Sequence, residues 1–190
     1  MQEEREMREE YARVLDFMQS GKSFSHVADP LAQLLGEVWF TLLEAQPKAG
    51  VVLKLNERVY IGREERDKIE VIKSRVKYEE LTQTSKNELP NAVMEIIKGD
   101  EKRFVDVFNN AGPVNIREHS LELLPGVGKK HLTAILKARN AKRFESFSDI
   151  SERVPLLQDP AKLIRERVLS ELMGGERFYM FTKPYRVERR

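Results

Sequence analysis

A chain of 190 residues with 41% apolar and 34% charged residues has the make-up of a soluble globular protein, enough for one domain or two small ones. It contains no cysteine, which excludes disulfides, thiolate metal sites, iron–sulfur clusters and cysteine nucleophiles and fits a reducing cytoplasm. The net charge is only +2, but residues 1–100 carry 15 Lys+Arg against 19 Asp+Glu, whereas residues 101–190 carry 18 against 12. A basic C-terminal half points to a polyanionic partner.

The acidic start, Met1-Gln2-Glu3-Glu4-Arg5-Glu6, lacks the apolar core of a secretion signal, and no apolar run approaches the ~20 residues that span a bilayer. No membrane partner is expected. Strand patterns follow at Tyr11–Met18, Gly36–Ala45, Val51–Leu55, Arg58–Ile61 and Lys68–Lys73, with Asn56-Glu57 as a hairpin turn. About five strands in so short a stretch suit a small barrel. After Tyr78 the period becomes helical: Glu79–Leu89, then Pro90–Lys98 with Pro90 in a first turn, then a helix capped by Asp100 and running to Asn110. Ala111-Gly112-Pro113 breaks it. Val114–Leu124 reads as a helix with Ile116, Leu121, Leu123 and Leu124 on its apolar side, and Lys129–Arg139 reads as another with Leu132, Ile135 and Leu136 inward. Beyond Met173, Gly174-Gly175 releases a β-like run, Phe178–Phe181, and a basic tail.

The segment Leu124-Pro125-Gly126-Val127-Gly128-Lys129-Lys130 joins the last two helices. Two glycines allow positive φ and leave no Cβ in the way of a ligand. Val127 between them is placed to point inward and pin the turn. The amides of Gly126, Val127 and Gly128 then sit at a helix N-terminus, whose partial positive charge suits phosphate. Lys129 and Lys130 stand beside them, and the run to Arg143 adds His131, Lys137, Arg139, Lys142 and Arg143 with no acidic residue. A surface of one sign over such a length suits a phosphate backbone.

This segment resembles the L-P-G-h-G-x-[K/R] hairpin of the helix-hairpin-helix superfamily, whose modules grip the backbone of DNA, and sometimes RNA, without reading sequence. Phe144-Glu145-Ser146-Phe147-Ser148-Asp149-Ile150 is similar to the entry of a second hairpin, with Ser146 and Asp149, or Ser148 alone, as the helix cap, but Val154-Pro155-Leu156-Leu157-Gln158-Asp159-Pro160 replaces its glycine turn. That unit is expected to complete the core, with Arg165 and Arg167 as charges of a solvated face and nucleic-acid backbone contact as the lesser alternative. A wider resemblance, carried by Gly36–Leu43, Tyr60-Ile61-Gly62, Arg103-Phe104-Val105 and Leu121–Lys130, is to an archaeal family of unknown function described as RNA- or nucleotide-binding. It implies an α+β protein: a small N-terminal OB-like β-barrel followed by an all-α helix-hairpin-helix domain. The corresponding divisions are a barrel at 11–77, a helical connector at 78–112, the hairpin domain at 113–173 and a C-terminal strand and tail at 174–190. In such a barrel Trp39, Phe40, Tyr60, Lys54, Arg58 and Arg63 are the candidates for stacking bases and following a strand.

Two other function classes compete with a non-catalytic nucleic-acid binder that prefers RNA slightly to DNA. A DNA glycosylase/lyase would use Lys130 as nucleophile and Asp149 as its assistant, although Asp149 stands in a helix-cap context and the upstream β pattern is unlike those enzymes. A protein-interaction module would dock translation or transcription partners. His26, His119 and His131 form no ligand pair, and Gly126-Val127-Gly128-Lys129 lacks Walker spacing, so neither metal nor cofactor is expected.

Overall fold

A computed structural model describes residues 8–21 and 29–185. Five strands form one antiparallel sheet: β1 (Tyr11–Met18), β2 (Leu31–Gly36), β3 (Leu42–Pro47), β4 (Arg58–Tyr60) and β5 (Ile69–Arg75). Their order is β4-β1-β2-β3-β5. The first three make a meander; β4 then returns to β1 and β5 to β3, so the late strands become the two edges. Register shifts at Val14/Asp16, Glu44/Ala45 and Gln46/Pro47 bend the strands locally. The result is an OB-like half-barrel. Ala12, Val14, Ala32, Leu34, Leu43, Ala45, Val59 and Ile69 pack with Leu53 and Ile61 as its core. Each fully buried Val, Leu or Ile contributes about 1.5–3 kcal/mol.

Within the sheet two strand expectations are corrected and one strand is added. Gly36–Ala45 is not one strand: Gly36 ends β2, residues 37–41 turn, and β3 begins at Leu42. The Glu9 carboxylate makes that turn by accepting the amides of Val38 (2.6 Å), Trp39 (2.8 Å) and Thr41 (3.2 Å), while Phe40 takes φ 51° and is fully buried. Trp39 and Phe40 therefore do not alternate across a strand. Val51–Leu55 forms no ladder either; it leads irregularly into the expected turn at Asn56-Glu57, where Asn56 has φ 58°. The missed strand β2 buries all six residues, Gln33 included, so it shows no alternation.

Gln33 is satisfied by β3 and by the entry to the first long helix. Its amide donates to the Glu44 carboxylate and to the Glu80 carbonyl, and its oxygen accepts from Thr82 N–H and Ser85 Oγ. Thr82 caps the first long helix through Ser85 N–H (3.0 Å) and donates to Asp16 (2.6 Å). Behind a 3₁₀ turn at Tyr78–Glu80, that helix, α1 (Gln83–Gly99), is single, with Pro90 in its interior. The two helices expected there are one. Proline costs a helix interior ~3 kcal/mol, and burial of Leu89, Ala92, Val93, Ile96 and Ile97 outweighs it.

The rest is helical: α2 (Glu101–Asn110), a 3₁₀ turn at Ser120–Leu123, α3 (Lys129–Ala141), α4 (Phe147–Arg153) and α5 (Pro160–Met173). Contacts divide the chain into Met1–Ala92 with Leu172–Gly174 and Phe181–Arg190, and Val93–Glu171 with Gly175–Met180. The boundary falls inside α1, so the stretch 78–112 read as a connector is shared between the units. Phe178–Phe181 is not a strand: Arg167 donates to the Phe178 carbonyl and Glu171 accepts Met180 N–H, which occupies the groups a ladder would need.

Candidate nucleic-acid interface

The helix expected over 114–124 is replaced by a loop and a 3₁₀ turn. Pro113 pairs with His119 as an isolated bridge, Val114 N–H reaches the Glu118 carbonyl (2.9 Å), and the Asn115 side chain accepts Arg117 N–H (2.8 Å). An Asn side chain that captures the amide two residues on competes directly with helix formation. His119 then caps Ser120–Leu123 by accepting Leu121 N–H at Nδ1 (3.1 Å), and Glu122 accepts His119 N–H in return (2.9 Å).

The bend follows. Pro125 and Gly126 occupy the centre of a turn closed by Val127 N–H to the Leu124 carbonyl (3.1 Å), and Gly126 has φ +78°, the pattern of a type II turn. Val127 is buried and anchors the bend, as its place between glycines suggests. Its N–H is engaged within the turn, so it does not offer the donor assigned to it from sequence. Gly128 is not left-handed as expected; it has φ −99° and ψ −174° and is the N-cap of α3. Its N–H faces His131 Nδ1 at a long 3.5 Å. A Cβ added at Gly126 or Gly128 would meet no atom within 4 Å. The bend thus presents open space at the start of α3, where the amides of Lys129, Lys130 and His131 have no partner within the helix.

The basic run is less uniform than its sequence. Lys129 is clasped to Glu122 (2.8 Å) and to the Arg117 carbonyl (3.3 Å). Among the described residues, Lys130 and Lys137 have no ion-pair partner; they stand two turns apart on α3, about 10 Å along one face. Arg139 points elsewhere, closing the C-terminus of α2 through the carbonyls of Phe108 (3.0 Å) and Ala111 (2.8 Å). Lys142 pairs with Glu145 (2.9 Å) and Arg143 with Asp106 (3.4 Å). Both pairs are exposed and therefore weak enough to exchange for phosphate. The Lys129 ammonium holds the Glu122 carboxyl below the usual carboxylate range.

The second unit is built as its sequence suggests. Ser146 Oγ accepts Asp149 N–H (3.0 Å), and the Asp149 carboxylate accepts Glu145 N–H (3.0 Å) and pairs with Arg153 (2.9 Å). Asp149 is thus engaged as a cap of α4. Arg167, read from sequence as a solvated-face charge with backbone contact as the alternative, is only 5% exposed; it binds Glu171 (2.9 Å), Glu176 (3.1 Å) and the Leu123 carbonyl (3.3 Å). Arg165 pairs with Glu166 (2.6 Å).

In the N-terminal unit, Arg58 grips Glu37 (2.9 Å) and stacks over Tyr11 at 3.6 Å, Tyr11 meets Tyr60 edge-on at 5.3 Å, and Lys183 lies over Trp39 at 4.6 Å. Of the candidates, Trp39, Tyr60 and Arg58 are engaged with the protein itself and Phe40 is buried, while Lys54 and Arg63 are exposed. Sequence reasoning missed an open groove of about 720 Å³ beside the bend, lined by Ile116, Arg117, Glu122, Val127 and Arg177 among others. Pro113 and Asn115, both turn formers, were the signal that Ile116 is not a helical core position. Among the described residues no group of three or more His, Asp or Glu is placed to hold a metal ion, and no helix is long and apolar enough to cross a membrane.

Residues 8–183 match the family described as Protein of unknown function (DUF655). The chain belongs to that family. It is 44% identical over 177 residues to an uncharacterized protein of Methanocaldococcus jannaschii, covering 92% of this chain and 80% of the relative. It is also similar to the crystal structure of Af1531 from Archaeoglobus fulgidus, with a TM-score of 0.86 and 46% identity over 92% of this chain and all of that one. The DUF655 match spans the half-barrel, the 113–119 loop and the glycine bend together.

His119 gives this region a pH dependence. Burial, together with the nearby Arg139 charge, pulls its pKa below the ordinary 6.5. The folded state then binds fewer protons than the unfolded one between the two values. The stabilisation is complete above the ordinary pKa and is lost as pH falls through the folded one. Thermal denaturation is expected to show a midpoint that falls as pH drops below His119's ordinary pKa of about 6.5. His119→Asn, which caps without titrating, should flatten that slope.

Proposed function

We propose that this protein is a non-catalytic binder of the nucleic-acid backbone, with RNA the favoured ligand, and that it grips phosphate at the Leu124–Gly128 bend and the first turn of α3. The supporting observation is the open, Cβ-free space at Gly126 and Gly128, bordered by helix-start amides and by Lys129 and Lys130. A phosphate there meets the N–H groups of Gly126 and of the first turn of α3, and that of Gly128 in exchange for its long bond to His131 Nδ1; the helix dipole favours its charge. Lys137, Lys142 and Arg143 extend the positive surface along α3 toward neighbouring phosphates. His131 borders the seat through Gly128, and Arg139 serves the surface by fixing α2 against α3. The helix-hairpin-helix resemblance points the same way, with the first helix shortened to a 3₁₀ turn.

The mechanism neutralises two to four phosphates, so log K should fall by roughly 2–4 per decade of salt. Affinity from a single grip should be ~10⁻⁴ to 10⁻⁶ M. Fluorescence anisotropy with labelled RNA and DNA over a salt series measures both. Lys130→Glu, which breaks no ion pair of the described residues, is expected to weaken all sequences alike and to flatten the slope by about 1. Binding independent of salt, or protein partners that co-purify specifically after nuclease digestion, would replace this reading with a protein-interaction role.

A further inference from the structure

Ile116 is 103% exposed, although it was patterned as a core residue. Its exposure is built in. The 113–119 loop is tied by Val114 N–H and Asn115 N–H to the Glu118 carbonyl (2.9 and 3.3 Å), by the Asn115 side chain to Arg117 N–H, and by Ser120 N–H and Oγ to the Gly112 carbonyl (3.0 and 2.7 Å). These bonds tie the backbone on both sides of Ile116. Lys129 bonds the Arg117 carbonyl, linking the same loop to the start of α3.

The groove beside the bend is lined by Ile116 and by Arg117 and Arg177, both exposed and, among the described residues, without ion-pair partners. Two carboxylates also line it: Glu122 is matched by Lys129, and Glu118 accepts from the Asn115 side chain (3.3 Å). An aliphatic tip between cations, next to an open phosphate seat, suits a ligand with alternating charged and apolar parts. A nucleotide strand has that alternation. In a duplex the base faces are stacked and hidden; in a single strand they are free to lie against an apolar side chain.

We propose that the Ile116 groove receives the nucleotide adjoining the held phosphate, with Ile116 against its unstacked base, which makes the ligand a single strand. This rests on the backbone-grip reading and adds the strandedness that the grip alone does not specify. Arg117 and Arg177 neutralise the flanking phosphates. Having no hydrogen-bonding groups, Ile116 reads no base edge, so the contact tolerates any sequence.

The test is anisotropy on the full chain with a single-stranded RNA, the matching DNA and the corresponding duplex, for wild type, Ile116→Ala and Gly128→Ala. Ile116→Ala is expected to weaken single-strand binding roughly three- to ten-fold, an apolar loss that leaves the salt slope unchanged. Duplex binding should move by less than about two-fold. If Gly128→Ala weakens binding and Ile116→Ala does not, the groove inference fails while the grip stands. If neither variant changes binding, both fail. An equal loss on duplex would make Ile116 a wedge into paired nucleic acid and overturn the single-strand assignment.

Discussion

Replacing Gly128 by alanine is expected to weaken nucleic-acid binding by about ten-fold or more, with a stability loss of no more than ~1 kcal/mol. Its φ of −99° and ψ of −174° are open to any residue, and the added methyl would stand in space with no atom within 4 Å. The fold loses only the difference between glycine and alanine as an N-cap. A phosphate drawn onto the amides of α3 meets the methyl directly and loses at least one charge-assisted hydrogen bond. Gly126→Ala is the less informative variant, because φ +78° imposes ~1–2 kcal/mol of backbone strain on alanine whatever the ligand does. An anisotropy titration at fixed salt, beside a melting curve, separates the two quantities. An unchanged Kd in stably folded Gly128→Ala removes the bend from the mechanism.

The largest stability effect is expected at Arg167. Arg167→Met should cost about 3–5 kcal/mol in urea denaturation, because it strands the Glu171 carboxylate, whose side chain is 0% exposed. The same guanidinium also serves Glu176, the Phe178 carbonyl and the Leu123 carbonyl, so one side chain ties α5 to the segment after it and to the approach to the glycine bend. Combining Arg167→Met with Glu171→Leu removes the buried charge and should recover much of the loss. Recovery stays partial because Glu171 also accepts Met180 N–H (2.7 Å). A double variant as unstable as the single one would show that the cost lies in the carbonyl contacts instead.

What the sequence made legible were features written locally. The β-forming runs of β1 and β5, the breaks at Gly112-Pro113, the helical period of α3 and the Pro-Gly turn each reflect neighbours within a few residues. The half-barrel was legible as a number of strands, and the bend as a motif. What was not legible depends on distant partners. The turn between β2 and β3 is made by Glu9, some thirty residues upstream, and holds a buried phenylalanine at positive φ where no glycine or asparagine announces it. β2 hides because its polar residue is satisfied by Glu44 and by residues 80–85. At the candidate site the charges were countable but their pairing was not. Nothing near Arg139 in sequence indicates that it closes α2, and nothing near Lys129 indicates Glu122 rather than a ligand. Asn115 was a readable sign against helix that apolar spacing over Ile116 and Leu121 overrode.

The Glu9 carboxylate has a consequence for where polyanions settle. Three amides converging on one point at the β2–β3 turn are the kind of cluster that attracts an oxyanion, and the chain fills it with an oxyanion of its own. That internal counter-ion discharges the half-barrel's cluster, so a phosphate arriving there finds a seat taken by a tethered competitor. The acidic half of the molecule is in this sense self-quenched, which is why the proposed grip on a polyanion is assigned to the basic helical half.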